Sequence, residues 1–92
     1  MNEYLLTFEL DEDAEQISVH GDAAGLEYFA RQLLGIAAKI KLGEVSHEHY
    51  FTSEWGGNEL SSKKQSNRDS LINHVKVYGW SSLGVTKSCE ET

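Results

Sequence analysis

His47-Glu48-His49 places two imidazoles at positions i and i+2 of a β-prone segment. On a strand that spacing turns both rings to the same side, where they can begin to chelate a divalent metal. A stable site needs a third ligand. His20 and His74 fall on other predicted strands, and the sequence pairs no His with Cys and has no His-Glu-x-x-His helix. The expectation is therefore ordinary sheet histidines and no cofactor, with His47 and His49 as the candidates for a metal.

The other reactive side chains lack supporting groups. Cys89, the single cysteine, rules out an internal disulfide and a cysteine zinc site. It lies near the chain end, where nothing lowers its pKa or orients it. Ser61, Ser62, Ser66, Ser70, Ser81 and Ser82 sit in loop or strand-end segments without a strand-turn-helix elbow. Asp11, Glu12 and Asp13 are adjacent carboxylates, but an exposed turn offers no burial to make one of them an acid catalyst. Gly56-Gly57 is followed by no Gly-Lys-Ser/Thr, so it is not a phosphate loop. An enzyme is not expected.

Binding chemistry is better represented. Trp55, at the end of a predicted strand, either plugs the open end of a small core or joins Tyr50, Tyr78 and Trp80 as an anchor on an exposed sheet face. Tyr and Trp combine area, rigidity and a polar handle, which is why they dominate binding hot spots. Glu48 and Glu54 share the strand parity of Tyr50, so the patch would be rimmed by carboxylates. Such a patch suits a basic protein partner.

Charge supports that choice. The 92 residues hold 15 acidic and 8 basic side chains, a net charge of −7. Residues 1–20 carry Glu3, Glu9, Asp11, Glu12, Asp13 and Glu15 with no Lys or Arg, whereas residues 61–92 are net basic. An acidic pole speeds encounter with a basic partner and repels nucleic acid. A solvated turn that maintains solubility is the simpler reading of the same charges. No run approaches the ~20 apolar residues of a membrane span, and Met1-Asn2-Glu3-Tyr4 lacks a signal peptide's basic flank. A cytoplasmic protein that binds neither membrane nor nucleic acid is expected.

The elements that must position these residues follow from periodicity. Tyr4, Leu6, Phe8 and Leu10 alternate with Thr7 and Glu9, a half-buried strand. Ile17 and Val19 form a second strand, close enough to make a hairpin. Asp22 is a good N-cap for a helix over about 23–42, with Leu26, Phe29, Ala30, Leu33, Ala37 and Ile40 on its apolar stripe. Phe29 and Leu33 are expected to be its most buried residues. Gly35, near that stripe, is expected to permit close approach to the sheet, and Gly43 to cap the helix in the left-handed conformation. His47–Ser53 and Leu71–Trp80 read as third and fourth strands, with Val75 and Val77 facing inward. Residues 58–70 read as a mobile polar loop. The expectation is one α+β domain over 1–80, ββαββ, with the helix on one face of a four-stranded, mostly antiparallel sheet, and a flexible tail over 81–92.

Gly21-Asp22-Ala23-Ala24-Gly25-Leu26, then Phe29 and Leu33-Leu34, His47-Glu48-His49 and Trp55-Gly56-Gly57-Asn58-Glu59-Leu60 together resemble the immunity protein 32 family of bacterial polymorphic toxin systems. The resemblance covers roughly residues 17–60 and continues weakly through Val75–Val77. It implies a small cytoplasmic α+β protein that binds and neutralises a cognate toxin, and it carries no catalytic residues. The partner-binding candidates are Trp55, Tyr50, Glu48, Glu54, Asp11, Glu12, Asp13 and Tyr78. A small-ligand or metal-binding domain using the His47/His49 face is one alternative. A structural homodimer is the other.

Overall fold

The computed structural model describes residues 3–81. The expected tail, and Cys89 with it, lies outside these residues apart from Ser81. Strands β1 (Leu6–Leu10) and β2 (Ile17–Gly21) form the expected antiparallel hairpin. Helix α1 (Ala23–Lys41) follows, then β3 (Ser46–Phe51), a single 3₁₀ turn (Ser53–Trp55), the two-residue β4 (Ser70–Leu71) and β5 (His74–Gly79).

The class is α+β, as expected, but the strands form two sheets. One has the order β2-β1-β4 and the other pairs β3 with β5, antiparallel throughout. The predicted fourth strand breaks at Ile72-Asn73. There the Ile72 N–H donates to the Phe8 carbonyl, and Asn73 turns its carbonyl and side-chain oxygen to the Thr52 N–H (3.0 Å) and hydroxyl (2.6 Å). Those bonds join the two sheets while splitting β4 from β5.

Asp22 caps the helix as its sequence position suggests: its carboxylate accepts from the Gly25 N–H at 2.8 Å. Gly43, at φ +88°, follows the helix end in the left-handed conformation that glycine accepts without strain. The rotation of the helix differs from expectation. Ile36 is 6% exposed whereas Leu33 is 40% exposed, so Leu33 is not a core residue. Gly35 faces open space and makes no close approach. The close approaches are at Gly25, whose backbone lies against the Leu5 carbonyl, and at Gly79, against Ile36 and Ile40. These two contacts, one at each end, fix the roll of the helix. Truncating Ile36 to Ala should cost ~2–4 kcal/mol, and Leu33→Ala less than ~1.5 kcal/mol; urea titration of the two variants checks the order.

The core joins Leu6, Phe8, Tyr50 and Leu60, with Phe29, Tyr28, Val75 and Val77 packed against them. Phe29 sits between Phe8 and Tyr50, edge to face with each at 5.2 and 5.9 Å. Residues 58–70 are not a free loop. Leu60 and Ser61 are buried; the Ser61 N–H donates to the Leu6 carbonyl, and its hydroxyl bridges the Leu6 N–H and the Tyr4 carbonyl. This segment covers the polar face of β1 and buries Thr7 and Glu9 completely. Glu9, expected on a solvated face, accepts from the Gln65 N–H (2.8 Å), the Ser66 N–H (3.0 Å) and the Thr7 hydroxyl (2.7 Å). Burial alone would raise its pKa, but the three hydrogen bonds and nearby His20 outweigh burial and hold the carboxyl below its usual value.

A candidate binding face on the β3–β5 sheet

Alternation sorts β3 into two faces. Ser46, Glu48 and Tyr50 turn toward the helix, and Ser46 and Tyr50 are buried. His47, His49 and Phe51 turn outward. Register places them opposite Tyr78, Lys76 and His74 of β5. The outcome is an uncovered face of aromatic and imidazole rings. Phe51 stacks on His74 at 4.2 Å, His47 lies 5.4 Å from Tyr78, and Tyr78 stacks on Trp80 at 6.0 Å. Lys76 holds its ammonium 4.9 Å from the centre of the Tyr78 ring, a cation–π contact.

His47 and His49 share a side, as their spacing predicts, with ring centres 5.1 Å apart. His49 is nevertheless bonded to the β5 histidine: its Nδ1 lies 2.9 Å from His74 Nε2. One of the two must be neutral to accept that bond. Shielding by its neighbours, then the charges of His74, Lys76 and His47, lowers the His49 pKa. Among the described residues no three His, Cys, Asp or Glu side chains are placed to hold a metal ion.

Tyr50 requires a correction. It is 2% exposed and forms part of the core beneath the helix, so it is not an anchor on an open face. Its hydroxyl donates to Gln32 at 3.3 Å. Burial first, then nearby Glu48, pushes its pKa up to about 12, so the phenol stays neutral. The parity shared by Glu48 and Tyr50 is real but leads to the helix side, where Glu48 meets Lys39 at 3.8 Å. Glu54 has left the strand for the 3₁₀ turn and is exposed. Trp55 in the same turn is 60% exposed, so it does not plug the core. Leu60 takes that place, because the chain returns through Gly57, whose backbone lies against Phe51 with no room for a side chain.

The acidic turn is more ordered than its composition implies. Asp11 is a structural residue: its carboxylate accepts from the Glu15 N–H (2.8 Å) and the Gln16 N–H (3.2 Å). Glu12 lies 3.7 Å from Arg68, and Asp13 is exposed. The turn and the Arg68-Asp69 segment line an open cleft of about 240 Å³. Another hollow, of about 610 Å³, is lined by Tyr4, Leu60, Ser61 and Lys63 among others. Its Ser61 hydroxyl is already engaged in bonds to the backbone.

These features define a small α+β domain that leaves one sheet face open and aromatic. A family model described as Immunity protein 32 matches residues 16–75, well over half of the chain, and the protein belongs to that family. No curated protein and no solved structure gives a significant match. The matched span contains the Gly21-Asp22-Ala23-Ala24-Gly25-Leu26 opening. Its geometry accounts for its residue types: Asp22 caps the helix on the Gly25 N–H, the Asp22 N–H donates to the Leu5 carbonyl, and Gly25 leaves room for that carbonyl. No helix among the described residues is long and apolar enough to cross a membrane.

Proposed function

We propose that this protein is a cytoplasmic immunity protein that neutralises a cognate bacterial toxin by stoichiometric protein–protein binding and not by catalysis. Membership of the family supports the role. The observation that carries the binding reading is the solvent exposure of Trp55, Tyr78 and Trp80 beside an uncovered sheet face. Burying such rings against a partner supplies the area and rigidity of hot-spot anchors. Glu12 and Asp13, exposed in the β1–β2 turn, steer a basic partner.

The test is co-purification with the product of the adjacent gene, followed by binding kinetics. Trp55→Ala and Tyr78→Ala should each weaken the complex by ~2–4 kcal/mol, mainly through faster dissociation. Their thermal melts should stay close to wild type, because neither ring is part of the hydrophobic core. Neutralising Glu12 and Asp13 together should slow association and flatten its salt dependence. A complex that forms with unchanged rates in all of these variants would exclude both the aromatic face and the acidic turn from the binding surface.

A further inference from the structure

β2 is an edge strand, and its sequence carries none of the usual protection. It pairs with β1 on one side and with no strand on the other among the described residues. Ile17–Gly21 contains no Lys, no Pro and no bulge. The direction of its free backbone groups follows from the ladder. The Asp22 N–H donates to the Leu5 carbonyl, and the Asp11 N–H donates to the Gln16 carbonyl. In an antiparallel pair bonded residues alternate, so Ser18 and His20 face β1 while the N–H and C=O groups of Ile17 and Val19 point to the open edge.

The side chains beside that edge are apolar and uncovered. Ile17 and Val19 lie opposite Leu10 and Phe8, on the helix side of the sheet. The helix does not reach over them: Ile17 is 57% and Val19 47% exposed. Leu26 leans against Gly21, and Leu33 follows two turns later on the same flank of the helix, both in contact with solvent. Strand edge and helix flank together form one aliphatic strip.

The sequence on either side of it carries one sign of charge, and among the described residues the one cation placed against the preceding turn is Arg68, 3.7 Å from Glu12. Asp13 and Glu15 stand before β2, and Asp22 and Glu27 after it. Residues 1–30 contain no Lys or Arg. A second copy pairing antiparallel about Val19 would bring the acidic turn of one chain against the acidic helix start of the other, and like charges opposed across strands are destabilising. A strand with basic ends meets attraction at both ends.

We propose that the β2 edge accepts an extended segment of the toxin as an added strand, with aliphatic side chains on the strip and Lys or Arg at the segment's ends. This rests on the toxin-binding reading above and adds a second contact, on the helix side of the fold, to the aromatic face on the other side. Strand addition draws its affinity from main-chain bonds and its selectivity from alternate side chains.

The experiment uses the full chain with a catalytically inactivated form of the adjacent gene's product. Amide hydrogen exchange is read by NMR in the free and bound protein. The Ile17 and Val19 amides should exchange at least about 10-fold more slowly in the complex, while those of Ser18 and His20, already bonded to β1, change little. Val19→Pro removes an N–H that the β1 ladder does not use, and Ile17→Lys places a charge on the strip. Each should raise Kd by roughly 10-fold or more. If either variant folds poorly, exchange in the wild-type complex still decides. A complex that forms without slowing Ile17 and Val19 overturns strand addition and leaves the immunity reading standing. No complex at all overturns both. Slowed exchange at these amides in the protein alone, with a doubled mass in solution, overturns the choice of a basic partner in favour of a second copy.

Discussion

Gly25→Ala is expected to destabilise the protein by on the order of 3 kcal/mol or more, the upper part of the range for overpacked sites. A Cβ at this position would lie 1.8 Å from the Leu5 carbonyl oxygen. The neighbour is backbone at the start of β1, so no side-chain rotamer relieves the clash. The helix would have to move, and Asp22 would lose its bonds to the Gly25 N–H and the Leu5 carbonyl together. Alanine is otherwise the better helix former by about 1 kcal/mol, so propensity and packing predict opposite signs. A domain of this size has only about 5–14 kcal/mol of total stability. A lowered urea midpoint for Gly25→Ala, beside a neutral or raised one for Gly35→Ala in open space, would establish close approach as the reason for the glycine.

Glu9→Gln is expected to cost on the order of 3 kcal/mol at neutral pH, because it weakens a buried charge and leaves donors facing the wrong group. The carboxylate accepts on both oxygens, from Ser66 on one and from Gln65 and Thr7 on the other. An amide would turn its NH₂ against one of those donors. The effect should depend on pH with a definite sign. The folded-state pKa of Glu9 is lowered, so its stabilising contribution is present above the unfolded carboxylate value of about 4.3 and is lost as pH falls through the folded value. The stability gap between wild type and Glu9→Gln should therefore be full at pH 7 and close in acid. Chemical denaturation of both proteins across pH 2–7 tests this, and a gap that does not depend on pH would mean that the clamp works by shape and not by charge.

Local signals in the sequence determined a good part of this protein. The capped helix, the β1–β2 hairpin, the shared side of His47 and His49 and the inward Val75 and Val77 all follow from spacing between near neighbours, because strand alternation and helix capping are properties of the chain itself. The family could be read for the same reason, since Gly21-Asp22-x-x-Gly25-Leu26 is a contiguous motif with a local geometric task. The partner-binding residues were less legible. Trp55 and Tyr78 emerge exposed, but Tyr50 belongs to the core and Asp11 to its own turn.

What tertiary structure alone decided has one physical source: long-range packing chooses between faces that local periodicity leaves nearly equivalent. The helix carries apolar residues over more than one stripe, and only Gly25 on Leu5 and Gly79 on Ile36 and Ile40 fix which stripe is buried. Thr7 and Glu9 have the alternation of a solvated face, and only the return of residues 60–66 across β1 makes that face interior and turns a surface carboxylate into a buried clamp. Leu60 fills the core end that Trp55 could have filled, which leaves the tryptophan in solvent. Each outcome depends on contacts between residues far apart in the chain, from 20 positions for Leu5 and Gly25 to 57 for Glu9 and Ser66, and no local spacing encodes those.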